Sequence, residues 1–368
     1  MKLNIPDYIK SIKPYKPGKP IEELEREYGV SGSIKLASNE NPLGPSPKAM
    51  AAMSEAMASL HRYPDGSGYY LMEKLAEKLE VKQANIVLGN GSDEIIGMLT
   101  RALLRAGDEA VMTTPSFLMY EIMVRSSGAE AVFVPLKSLF ADLGAMAARI
   151  TDKTKIIFLN NPVNPTGTII TKKDFAAFMQ KVPEQVAVVI DEAYIEFASD
   201  PDCLDGLAYC TGESPVVVLR TFSKAYGLAG IRIGYGVMPE ELAGILHRVR
   251  QPFNANALAQ AGALAALDDT RFLEKTVSLV RNELDFLYAG LESLGVNYFP
   301  SEANFFLIDV GCDAEAFFEE MLRRGVIVRS MASYGYPEYI RINAGTREEN
   351  QRFLEAFQSV LNLMKEKS

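Results

Sequence analysis

From about Asn85 onward, short apolar runs alternate with longer stretches in which apolar residues recur every three or four positions. The short runs are Asn85–Gly89, Glu109–Thr113, Ala131–Val134, Ile156–Asn160, Gln185–Ile190, Val216–Leu219 and Ile231–Val237. Each is rich in β-branched residues, the pattern of a strand covered on both faces. Intervening segments such as Ser92–Arg105 and Lys172–Lys181 have helical spacing. Strands alternating with helices predict an α/β fold, a mostly parallel sheet with helices on both sides. Only Arg220–Gly230 joins the sixth run to the seventh. A parallel crossover needs about a dozen residues or more, usually including a helix. The seventh strand is therefore expected to run antiparallel, giving a seven-stranded mixed sheet.

The texture changes after about Gln251. Long helical stretches, Ala255–Leu267 and Arg271–Leu294, precede candidate strands at Asn304–Asp309, Val326–Val328 and Tyr339–Asn343, then a C-terminal helix from Arg347. This predicts a smaller α+β domain. The first 35 or so residues are rich in Pro, Lys and Tyr and contain one helical piece, Ile21–Tyr28. They read as an arm, packed near the small domain or across a partner subunit. The expected organisation is an arm over 1–35, a large domain over 36–254 and a small domain over 255–368. A chain of 368 residues fits two domains.

Composition removes several classes of function. A net charge of -9 disfavours wrapping nucleic acid or lying on an anionic membrane. No apolar run approaches the length of a bilayer span, and the N-terminal residues have no apolar core of a signal peptide. Three scattered cysteines, Cys203, Cys210 and Cys312, argue against a disulfide framework and against a zinc site. The expected compartment is reducing, hence cytoplasmic. With only His61 and His247, acid–base chemistry is not expected to rest on histidine.

Open α/β sheets bind ligands beyond the carboxyl ends of their strands, so the chemistry is sought there. The first run ends GNGSDE, Gly89 to Glu94, and opens into a helix with Ser92 as the expected N-cap. Backbone N–H groups of Gly91, Ser92 and Asp93 would make an anion site, although an ordinary strand–turn–helix cap has the same sequence. The fifth run leads to Asp191, whose carboxylate at a buried strand tip calls for a cationic partner; a helix N-cap is the competing role. The sixth leads to Lys224 among small and apolar residues, where lost hydration would make the amine nucleophilic; the competing role is an exposed loop lysine. Thr221, Ser223 and Arg232 surround it with donors suited to an anion. An acid, an amine and an anion cluster at one sheet edge suit a cofactor with a basic ring nitrogen, an aldehyde and a phosphate. Pyridoxal phosphate has all three.

The motifs NENPLGPSP (Asn39 to Pro47), RYPD (Arg62 to Asp65), GNGSDE, NPTG (Asn164 to Gly167), DEAYIEF (Asp191 to Phe197), SKAYGLAGIRIGY (Ser223 to Tyr235) and YIRINAGT (Tyr339 to Thr346) span nearly the whole chain. Together they resemble the fold-type I pyridoxal-phosphate-dependent aminotransferases of class II, and within them the histidinol-phosphate aminotransferase group. NPTG and SK mark the superfamily; RYPD, DEAYIEF and RTFSKAYGLAG are more specific to that group.

The resemblance implies roles position by position. Lys224 would form the internal aldimine and later shuttle the proton. Asp191 would keep the ring nitrogen protonated, and Tyr194 with Asn164 would hydrogen-bond the ring hydroxyl. Gly91, Ser92, Asp93, Thr221, Ser223 and Arg232 would hold the cofactor phosphate. Phe117 stands where the family often has a ring-stacking Tyr. Tyr63 would reach the neighbouring subunit's cofactor phosphate, which implies a homodimer. Arg329 and Arg341 would bind the substrate phosphate, two guanidiniums suiting a dianion, and the co-substrate carboxylate in the second half-reaction. Tyr15 would close over the substrate. No metal is implied.

The resemblance points to transamination of L-histidinol phosphate with 2-oxoglutarate in histidine biosynthesis. An aromatic amino acid aminotransferase on the same scaffold is the alternative, followed by a threonine-phosphate decarboxylase. A regulator built on this scaffold would carry an N-terminal DNA-binding extension, and the residues before the core motifs are expected to be too few for one.

Overall fold

The computed structural model describes residues 3–15, 18–212 and 214–367. Lys16 and Pro17, in the arm, lie outside the described residues. At the centre is a seven-stranded sheet. Its strands are β1 (Ile86–Gly89), β2 (Glu109–Thr114), β3 (Glu130–Pro135), β4 (Thr154–Asn160), β5 (Ala187–Asp191), β6 (Val216–Thr221) and β7 (Gly234–Val237). They lie in the order β1-β7-β6-β5-β4-β2-β3. Pairs among β2 to β6 are parallel. Strand β7 runs antiparallel to both β6 and β1, as the short link to it predicts.

Both faces of the sheet are covered, which is why the strands lack polar alternation. Val189 and Val217 pack into one cluster with Ile95, Tyr120 and Leu246. Their neighbours Val188 and Val216 enter another with Phe175 and Phe178 on the opposite side. The helix Ala257–Leu267 buries its alanines against the helix Pro47–Ala56 and the sheet residues Leu88 and Val237.

Two differences from the sequence reading bear on the strand ends around Arg232. The seventh strand begins at Gly234 rather than Ile231, which lies in a 3-10 turn. Arg232 there has a left-handed φ of 57°, and a Cβ at Gly234 would strike the Ser92 amide and the Arg220 carbonyl. Strand, turn and helix start are pressed together. The N-cap of the helix Ser92–Leu103 is Gly91, not Ser92, which is the first helical residue. The chain leaves β1 through Gly91 at φ 79°, and the Arg232 guanidinium fills the space that a Cβ would need.

A second, antiparallel sheet contains β8 (Tyr298–Phe299), β9 (Phe305–Asp309), β10 (Arg329–Ser330) and β11 (Tyr339–Asn343), in the order β10-β11-β9-β8. The run expected at Val326–Val328 is split. Val326–Ile327 pairs with Ile34–Lys35 of the arm, and Arg329–Ser330 pairs with β11. The helices Thr270–Ser293 and Arg347–Lys367 pack on this unit. The expected helix Ile21–Tyr28 forms and buries Leu24 against Leu322 and Ile327. Tyr8, earlier in the arm, lies beside Gly128 of the large-sheet unit.

Candidate functional site

The carboxyl ends of β4, β5 and β6 and the start of the helix Ser92–Leu103 enclose a cavity of about 360 Å³. Eleven residues singled out in the sequence line it: Tyr15, Ser92, Asp93, Phe117, Asn164, Asp191, Tyr194, Thr221, Ser223, Lys224 and Arg232. A larger depression of about 430 Å³, around Phe140 and Phe178, has no strand-tip acid and none of these residues.

Lys224 is the amine of the cavity. It follows β6 by three residues, and its Nζ donates to the Ser38 carbonyl at 3.1 Å. Burial pushes its pKa down to about 8, and the nearby Arg341 charge adds to the fall. Asp191 ends β5, only 3% exposed. Burial pushes it up to about 6, and hydrogen bonds from the Tyr120 hydroxyl at 2.7 Å and the Ala193 amide at 3.2 Å pull it back. The Lys224 charge adds a smaller pull in the same direction, as a cation near a buried carboxylate does.

Tyr194, three residues beyond Asp191, is buried and accepts a hydrogen bond from Asn39 Nδ2 at 3.0 Å. Burial raises its hydroxyl to about 12, so it stays protonated at neutral pH. At the helix start, Arg232 donates to Ser223 Oγ at 3.2 Å and pairs with Asp93 at 3.4 Å. Burial raises the Asp93 carboxyl, and the Arg232 charge opposes that rise. Thr221 Oγ1 accepts from the Ser223 amide at 3.0 Å. Hydroxyls, a guanidinium and a helix N-terminus converge here, a combination suited to a phosphate.

Arg341 and Arg329 stand directly opposite each other on β11 and β10. Arg341 is buried, donating to Asn164 Oδ1 at 2.5 Å and to the Ala37 carbonyl at 3.1 Å. Its Nε has no partner among the described residues. Like charges facing across an antiparallel pair repel, and an anion between them would relieve that repulsion. Arg329 lies against Gly18 of the arm. Tyr63 is not part of the cavity of its own chain: it is 82% exposed and stacks on Phe253 at 4.7 Å.

Sequence reading missed several groups. Ser38, Glu40, Met119 and Asn160 also line the cavity. Asn39 orients Tyr194, and Tyr120 bonds Asp191. Asn39 lies within the NENPLG motif, whose density of asparagines was a signal. Tyr120 gave none, because an apolar helix explains a tyrosine equally well. His61 and His247 are outside the cavity walls, and the three cysteines are free.

The aminotransferase class I and II family profile matches residues 31–357. The histidinol-phosphate aminotransferase of Desulfotalea psychrophila is 48% identical over 98% of this chain and 96% of its own. That of Moorella thermoacetica is 48% identical over 96% of this chain and 92% of its own. The crystal structure of histidinol-phosphate aminotransferase from Sinorhizobium meliloti, in complex with pyridoxal-5'-phosphate, superposes with a TM-score of 0.90 at 28% identity, covering 99% of both chains. On profile, full-length identity and superposition alike, the chain belongs to the class I and II aminotransferases, and among them to the histidinol-phosphate aminotransferases.

Proposed function

We propose that the chain transfers the amino group of L-histidinol phosphate to 2-oxoglutarate, giving imidazole-acetol phosphate and L-glutamate, with pyridoxal phosphate as cofactor. The names of its relatives support the reaction. The observation that carries the substrate is the opposed pair Arg329 and Arg341, with Nε of Arg341 buried and unpartnered. Two guanidiniums suit a phosphate dianion, and a carboxylate can take the same place in the second half-reaction.

The cavity residues fit the cofactor. Arg232, Ser223, Thr221 and the amides of Ser92 and Asp93 would hold its phosphate, with Gly91 leaving room for Arg232. Asp191 would hold a proton on the ring nitrogen, and Phe117 would cover a ring face. Tyr194 and Asn164 would donate to the ring oxygen. The bound cofactor supplies an aldehyde that joins amines and a ring that accepts the electrons of a carbanion. Lys224 Nζ would tether it and then, as a free amine of lowered pKa, take the proton from the amine-bearing carbon of the substrate. Tyr15, on the arm, would exclude water over that carbon.

The proposed organisation is an arm over 1–35, a cofactor domain from 36 and a small domain to 368. The helix Ala257–Leu267 packs with the cofactor domain, which moves the proposed boundary from 254 to just after Leu267. The proposed compartment is the cytoplasm; no helix among the described residues is long and apolar enough to cross a membrane. The proposed assembly is a homodimer in which Tyr63 reaches the partner's cofactor phosphate.

Steady-state assays test the reaction. Histidinol phosphate with 2-oxoglutarate is expected to turn over, and Arg341→Ala is expected to lose about 100-fold in kcat/KM, as for loss of a charged hydrogen-bonding group. Turnover of phenylalanine with none of histidinol phosphate, or release of carbon dioxide without a keto acid, would overturn the assignment.

A further inference from the structure

We infer that Tyr120 is a positioning residue that fixes the Asp191 carboxylate for the cofactor's ring nitrogen. This rests on the cofactor reading above. Tyr120 lies in the first turn of the helix Leu118–Ser126, three residues after Phe117. That spacing puts both rings on one helix face. Phe117 lines the cavity, whereas Tyr120 is wholly buried beneath it. The Tyr120 ring stacks on Phe158 at 4.7 Å with an interplanar angle of 7°, and meets Phe117 edge-on at 5.5 Å. So clamped, its hydroxyl donates to Asp191 Oδ2 at 2.7 Å.

Hydrogen bonding to the charged form of a carboxylate favours that form. The groups acting on Asp191 are few. Asp93, on the helix Ser92–Leu103, opposes its ionisation; Lys224 and the Ala193 amide support it, and the Tyr120 hydroxyl does so most among its hydrogen bonds. Tyr194 also lies within electrostatic reach. Removing the Tyr120 hydroxyl therefore leaves a fully buried carboxyl that protonates at higher pH. A neutral Asp191 can no longer keep the ring nitrogen cationic.

The test is Tyr120→Phe, which preserves the ring stack. The readouts are binding of pyridoxal phosphate to the apo-protein, the pH profile of kcat, and thermal unfolding of the apo-protein. Loss of one hydrogen bond to a charged group predicts about 10-fold weaker cofactor binding at pH 7. The same loss predicts that the acid limb of kcat moves up by about one pH unit, with KM for the amino donor changed less than about threefold. Tyr120→His, which keeps a ring donor, is expected to recover much of the affinity. Unchanged affinity and acid limb in a folded Tyr120→Phe protein would overturn the inference. So would a loss of affinity in Tyr120→Phe with the acid limb unmoved, because that loss would not pass through the Asp191 carboxylate. Failure of the unmodified protein to bind pyridoxal phosphate would instead strike the cofactor reading.

Discussion

Lys224 shows how far one residue's chemistry is set by its surroundings. On a surface it would be a hydrated cation; here burial and Arg341 bring its pKa down to about 8. Because the folded value is depressed, the neutral amine accumulates as pH rises toward about 8. Reconstitution of the apo-protein with pyridoxal phosphate should accelerate roughly tenfold per pH unit below that point and level off above it, since only the neutral amine attacks an aldehyde. Stopped-flow absorbance at several pH values would measure this, and Lys224→Ala should develop no such absorbance. At this scale the sequence was informative wherever a residue followed an apolar run. Lys224, Asp191 and the Thr221–Ser223 pair were legible because strand tips can be read from hydrophobic patterning. Tyr120 and Asn39 were not. Their partners, Asp191 and Tyr194, lie on distant segments, and only the folded chain brings the hydroxyl and the amide to them.

Among the elements, β5 and β6 are fastened just behind the cavity. Glu192, directly after β5, is fully buried and pairs with Arg220 of β6 at 2.7 Å. Arg220 also reaches Asp205 at 2.9 Å. This link holds the strand end that carries Asp191 beside the one that leads to Thr221, Ser223 and Lys224. Burial nonetheless raises Glu192 to about 7, so its charge depends on Arg220. Arg220→Ala would leave that acid buried without its partner, a change that costs about 3 kcal/mol or more, readable as a lower urea midpoint with unchanged slope. Glu192→Gln should cost less, because no buried carboxylate remains. The strands themselves were legible from their apolar runs. The starts at Gly91 and Gly234 were not, because the interlock of Arg232, Ser92 and Arg220 sets them rather than any local preference.

Across the whole molecule, a net charge of -9 meets two proposed phosphate-bearing ligands, so Arg232, Arg329 and Arg341 must act against the overall field. Exposed apolar side chains gather near the RYPD motif: Met57, Leu60, Tyr63, Tyr69 and Tyr70, with Phe253 stacked on Tyr63. Exposed apolar side chains of this kind suit the proposed dimer interface. In sedimentation experiments the protein should run as a dimer at micromolar concentration, and Tyr63→Asp with Phe253→Asp should shift it toward monomer. Retention of the dimer in that variant would place the interface elsewhere.

One packing feature reaches further. Tyr194, Phe197 and Ala225 come from the large-sheet segments, yet they share a buried cluster with Phe305, Leu287 and Phe353 of the second unit. Two of them flank the site residues themselves, Ala225 next to Lys224 and Tyr194 within the cavity wall. The units therefore share part of their buried core. Truncation at the boundary would strip the wall from the amine as well as removing a domain, and melting should proceed as one cooperative transition. The lysine proposed for catalysis is thus tied to the packing of both units, and partial unfolding of either one is expected to silence it.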